Sequence, residues 1–75
     1  MNEIDVLRKI GDFNEKNEPV WFSKLVDVLG CSRIEVSKAL DRLSDLGMVK
    51  SHYEKMGQKW SCCYFIEDEA KILTG

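Results

Sequence analysis

GCSRIEVSKALDRLSDLGMVK, residues 30–50, holds a helix start, an apolar helical stripe and a helix stop in one continuous run. Ser32 followed three positions on by Glu35 is the spacing of a capping box. In such a box the serine oxygen accepts from an orphan amide of the first turn, and the glutamate reaches back to the serine's own amide. The helix is therefore predicted to begin at Arg33. Val36, Ala39, Leu40, Leu43 and Leu46 then recur at three- and four-residue intervals, which puts them on one face of a 3.6-residue helix and predicts that face to be buried. Gly47 can take the left-handed conformation that closes a Schellman ending, with Met48 folding back onto the last turn. The predicted helix spans residues 33–46.

The other face of this helix presents Arg33, Ser37, Lys38, Asp41, Arg42 and Asp45, so cations suited to phosphates alternate with short polar groups suited to base edges. An ordinary solvated helix surface has the same composition, and the neighbouring elements must decide between the two. On the amino-terminal side, Ser23 can cap a short helix from Lys24 to Leu29, with Leu25, Val26 and Leu29 turned inward and Gly30 ending it. Only Cys31 and Ser32 then separate the two helices, a connection tight enough to force the steep crossing of a helix-turn-helix. Farther out, Ile4, Leu7 and Ile10, with Val6 and Phe13 less regularly placed, predict an amphipathic first helix from Asn2 to about Lys16. The polar run Asn14 to Pro19 breaks the chain, and Val20 to Phe22 is predicted as a short strand.

On the carboxyl-terminal side, MVKSHY (48–53) reads as a strand, EKMGQK (54–59) as a turn centred on Gly57, and WSCCYFI (60–66) as a second strand, together a β-hairpin. Of the second strand, Cys62, Tyr64 and Ile66 are predicted to face the core and Ser61, Cys63 and Phe65 to face away. Trp21 and Trp60 read as core anchors. Glu67 to Leu73 is predicted to form a last short helix with acidic residues favoured in its first turn.

Seventy-five residues, 44% hydrophobic and 32% charged, suffice for one folded domain spanning residues 1–75. No apolar run reaches the roughly eighteen residues of a membrane span, and the polar start MNEID has no signal-peptide pattern, so a cytoplasmic location with no membrane partner is predicted. The cysteines are three, Cys31, Cys62 and Cys63, and neighbours on a strand point to opposite faces, so neither a disulfide scaffold nor a metal site is predicted. No cofactor is implied. With one histidine, no glycine-rich phosphate loop and no nucleophile motif, an enzyme is not predicted; His52 reads as a rim residue. The net charge of −2 is unevenly spread. Residues 1–22 and 61–75 are each acidic on balance, whereas residues 23–60 carry Lys24, Arg33, Lys38, Arg42, Lys50, Lys55 and Lys59 against five anions.

Helix, short strand, helix, tight turn, helix, strand, basic turn, strand is the order of a winged helix-turn-helix domain, an α+β fold, and the sequence resembles that superfamily over residues 4–66. The run EVSKALDRLSDLGMVK is similar to small prokaryotic repressors of the multiple-antibiotic-resistance and arsenic-repressor type, through Val36, Ser37, Leu40, Leu43, Leu46, Gly47 and Val49. The resemblance implies a three-helix core with a two- or three-stranded wing. It further implies a sequence-specific, double-stranded-DNA-binding transcriptional regulator, with Arg33, Ser37, Lys38 and Arg42 in the major groove and Lys55, Gln58 and Lys59 on the wing. Lys50 would add affinity that is independent of sequence. Two features depart from the family: Asp41 and Asp45 lie on the face that would meet DNA, and the wing has no arginine. A homodimer would use the first and last helices. The alternative reading is a winged helix protein-interaction adaptor in a larger assembly, which an exposed cluster around Trp21, Trp60 or Phe65 would favour.

Overall fold

The structure, a computed structural model, describes residues 2–67; the predicted helix beyond Glu67 lies outside them. Helix α1 (Glu3–Glu15) starts with a reciprocal box at Asn2. Its side chain accepts from the Asp5 amide at 3.1 Å, and the Asp5 carboxylate accepts from the Asn2 amide at 3.3 Å. Val6, Leu7 and Ile10 form the buried face of α1, whereas Ile4 at its outer edge is exposed. After α1 the chain turns through Asn17 at φ 57°, and the Glu18 amide folds back to the Phe13 carbonyl at 2.9 Å.

Helix α2 (Phe22–Leu29) begins earlier than its sequence predicts. Trp21 is the cap residue and makes no side-chain capping bond, while Ser23 sits exposed in the first turn. The starting point is set instead by tertiary pairing: Trp21 forms a single bridge with Cys63, and the Leu25 amide then reaches the Trp21 carbonyl at 3.0 Å. The predicted strand 20–22 is reduced to that bridge. Gly30, at φ 65°, ends α2 in the left-handed conformation.

Helix α3 (Arg33–Asp45) follows with Ser32 as its cap, accepting from the Glu35 amide at 3.2 Å. The return half of the box is absent, because the Glu35 carboxylate instead accepts the Ser32 hydroxyl proton at 3.3 Å. Val36, Ala39, Leu40 and Leu43 are buried. Leu46 is 62% exposed, since it caps the helix and the chain leaves the core direction at Gly47. The ending is a Schellman motif: Gly47 has φ 73°, Met48 donates to the Leu43 carbonyl at 2.9 Å and Gly47 to the Ser44 carbonyl at 3.0 Å.

Strands β1 (Val49–Met56) and β2 (Lys59–Ile66) pair antiparallel, with Val49 opposite Ile66 and Met56 opposite Lys59. The turn is therefore only Gly57 and Gln58, and both strands are longer than predicted. Gly57, at φ 68°, supplies the positive φ that a two-residue hairpin requires. Alternation puts Val49, Ser51, Tyr53, Lys55, Trp60, Cys62, Tyr64 and Ile66 on one face of the hairpin. Val49 and Ile66 enter the core, and Tyr64 packs against it. The alternation is the predicted one, with Cys62, Tyr64 and Ile66 on the core side, but Cys63 on the other face is fully buried and Cys62 only partly so, because the segment at residues 20 and 21 runs alongside β2 and encloses Cys63. Trp60 is 65% exposed; it lies next to the turn, beyond the reach of the helices, and does not anchor the core.

The core joins Val6, Leu7 and Ile10 of α1, Val20, Leu25 of α2, Val36, Ala39, Leu40 and Leu43 of α3, and Val49 and Ile66 of the hairpin. Each fully buried Leu or Ile side chain contributes roughly 1.5–3 kcal/mol, and among the described residues no polar or charged residue is buried. Gly11 lets α1 approach the end of β2: a Cβ there would stand 2.7 Å from Ile66 Cδ1. The outer edge of β2 is closed at its core end, at Tyr64 and Ile66, by two devices. Val20 accepts from the Tyr64 amide at 2.9 Å. The side chain of Asn14 takes the place of a strand, its oxygen accepting from the Ile66 amide at 2.9 Å and its nitrogen donating to the Tyr64 carbonyl at 3.3 Å.

Candidate nucleic-acid interface

With Val36, Ala39, Leu40 and Leu43 inward, helical geometry turns Ile34, Lys38, Asp41 and Asp45 directly outward. All four are exposed. The remaining site residues divide between the two flanks of α3. Arg42 leans toward α1, its Nε 3.4 Å from the Glu3 carboxylate, with 72% of its side chain still exposed. Asp41 lies on the hairpin side of the outward face; burial first, then Cys62, Asp41 and Tyr53, hold the Tyr64 phenol above its ordinary range. Tyr64 thus stays a neutral hydroxyl where helix and hairpin meet. Ser37 is exposed on the same flank as Asp41.

Arg33, in the first turn of α3, lays its guanidinium over the Phe22 ring at 4.9 Å. That contact fixes the direction of the side chain without removing its charge. The hairpin tip gathers Lys55, Gln58 and Lys59, all exposed. Glu54 is the one acidic residue of the hairpin strands; it turns to the opposite face from Lys55 and lies 3.1 Å from His52 Nε2. His52 itself stacks on Phe65 at 4.2 Å between centroids, with 4° between the planes. Lys50 is only loosely paired, 3.8 Å from Glu67. Exposed pairs of this kind contribute roughly 0–1 kcal/mol, so Arg42 and Lys50 can exchange their carboxylates for phosphates at small cost.

One sequence expectation changes and one residue joins the site. Lys24, counted with the basic middle of the chain, is turned inward: its ammonium donates to the Pro19 carbonyl at 3.1 Å and lies over the rings of Phe13 and Trp21 at 4.7 and 4.8 Å. It belongs to the scaffold. Ile34, which the sequence does not single out, is 68% exposed on the outward face of α3. The signal for it was present, because an isoleucine two places after a cap and off the apolar stripe has no core position to occupy. The cations thus form a helix group and a hairpin-tip group, with Asp41 and Asp45 on the helix surface beside them.

The sequence matches no family model and none of the curated protein sequences. Among solved structures, the fold is similar to Bacillus subtilis PadR, crystallised in complex with operator DNA, at a TM-score of 0.67 and 15% sequence identity. The match covers 92% of this chain and 43% of that one, so the chain spans less than half the length of that protein. Three helices followed by an antiparallel hairpin, with α2 bracing α3, make this a winged helix-turn-helix domain of the α+β class. Among the described residues no helix is long and apolar enough to cross a membrane.

Proposed function

We propose that this domain is a sequence-specific DNA-binding transcriptional regulator that inserts α3 into the major groove and rests its hairpin tip on the backbone. The observation that carries the reading is the pairing of a well-capped, braced helix whose outer face is open with a hairpin tip that bears Lys55, Gln58 and Lys59 around its two-residue turn, the neighbouring Glu54 being drawn to His52. The likeness in fold to PadR, solved with its operator, supports it. Lys38 and Ser37 meet base edges, and Asp41 suits a cytosine amino group as hydrogen-bond acceptor. Ile34 suits a thymine methyl. Arg33, Arg42 and Lys50 meet phosphates, as do Lys55, Gln58 and Lys59 at the tip.

The test is an amide chemical-shift titration of the chain with a short mixed-sequence duplex in dilute buffer. Shifts confined to residues 33–42 and 54–60 are expected; an unchanged spectrum, or shifts confined to α1, would refute the assignment. A homodimer through α1 and the segment after Glu67 is part of the proposal, and its check is the sedimentation coefficient with and without duplex. An exposed cluster around Trp21, Trp60 or Phe65 would favour the adaptor reading. Trp21 and Phe65 are only partly exposed, and Phe65 lies on the opposite face of the hairpin from Trp60, so the three do not join into one patch, and the exposed rings are Trp60 and Tyr53.

A further inference from the structure

The hairpin face that runs outward from Val49 and Ile66 carries Tyr53 and Trp60 at diagonal positions, since Tyr53 pairs with Cys62 and Trp60 with Lys55. Diagonal neighbours on one face lie within reach of each other's aromatic side chains. Tyr53 is 69% exposed and Trp60 65%. An indole and a phenol held mostly in water by a paired strand forgo the burial that makes such residues favourable. The fold gives them no partner among the described residues. Lys55 stands directly across from Trp60, and every hairpin position on this face lacks a carboxylate; Asp41 approaches only its inner end, at Tyr64.

A pair of exposed rings on a rigid ladder, with a cation at the rim and no anion beside it, is the arrangement that takes up bases by their π-faces while the ammonium meets the backbone. We propose that the outer hairpin face of Tyr53, Lys55 and Trp60 binds unpaired bases of single-stranded nucleic acid, with one base stacked on the indole. Bases in a duplex are stacked on each other and do not offer that face without being extruded; a single strand offers it freely. The inference deepens the duplex-binding reading and rests on it only in taking this side of the molecule to face a polyanion.

The test measures fluorescence anisotropy of labelled oligo(dT), oligo(U) and a mixed-sequence hairpin duplex against the whole chain at low salt. Trp60→Ala is expected to weaken oligo binding by about ten- to a hundredfold while costing the duplex no more than about threefold, and Trp60→Phe to keep most of the affinity. Because Trp60 is largely exposed, far-UV circular dichroism should show both variants folded. Tighter binding of oligo(dT) assigns the strand as DNA, and tighter binding of oligo(U) as RNA. No binding of either oligomer by the wild-type chain overturns the proposal, as does an equal loss for oligomer and duplex in Trp60→Ala. If Lys38→Ala and Arg42→Ala leave duplex affinity unchanged while Trp60→Ala still abolishes oligomer binding, the duplex reading fails and this one stands.

Discussion

Asn14 joins the first helix to the last strand with one side chain, and the two backbone atoms it satisfies have no strand neighbour on that side. Asn14→Ala should therefore cost about 1–3 kcal/mol, the penalty for stranding partly buried polar groups, read as a lowered urea midpoint. Asn14→Asp keeps the acceptor for Ile66 but loses the donor for Tyr64, and should also lower the midpoint. Nothing near Asn14 in the sequence announces this role. Its partners are 50 and 52 residues away, and in the run NEKNEP an asparagine reads as one more turn residue. Ser32 and Gly47 were legible for the opposite reason, because their partners lie within a few positions and the chemistry of capping is local. Lys24 misleads in the same way as Asn14. Counted by charge it belongs to the footprint, but a carbonyl five residues back and two aromatic rings hold it in the scaffold.

Among the elements, α3 was readable almost to the residue, whereas the start of α2 was not. The difference can be measured: Ser32→Ala should cost about 0.5–2 kcal/mol through loss of its cap, while Ser23→Ala should stay within about 0.5 kcal/mol because its side chain caps nothing. Equal losses would restore the sequence assignment of Ser23. The start of α2 is fixed by the bridge between Trp21 and Cys63, a pairing across the fold that no local window contains. The hairpin shows the same division. Its existence and its glycine turn were evident, but both alternating sets of residues in WSCCYFI are apolar, and the pattern could not say that Cys63 would be enclosed and Trp60 left in water. Gly11 marks the contact of α1 with β2; Gly11→Leu should destabilise the domain by about 1–3 kcal/mol through overpacking against Ile66, seen as a lower melting temperature.

At the scale of the whole molecule, two responses to solution conditions follow. Burial pushes the Cys63 thiol above its ordinary value of 9.0, with Glu54 and Cys62 adding to the effect, and burial likewise raises Tyr64 above 10.0. The folded chain holds these protons more tightly than the unfolded chain does. The stability these two groups contribute is thus fully present below about pH 9 and is lost as pH climbs from there through the raised folded values. Thermal melts should show that decline, and Cys63→Ala should blunt its first part. If Arg33, Arg42, Lys50, Lys55 and Lys59 each neutralise one phosphate, the logarithm of duplex affinity should fall with the logarithm of salt at a slope of about −4.5, and each alanine substitution should reduce it by about 0.9. The sealing of β2 by Val20 and Asn14 has one more result. Sheets grow and chains swap segments where a backbone has hydrogen bonds to spare, and among the described residues the seal covers β2 only at Tyr64 and Ile66, which leaves the rim of β1 and the tip-side half of β2 open. Templated self-association, if crowded copies of this domain undergo it, must begin along β1 or near the hairpin tip, and a proline placed at an outward-pointing amide there would block it while one placed at Tyr64 or Ile66 would break the seal and destabilise the domain.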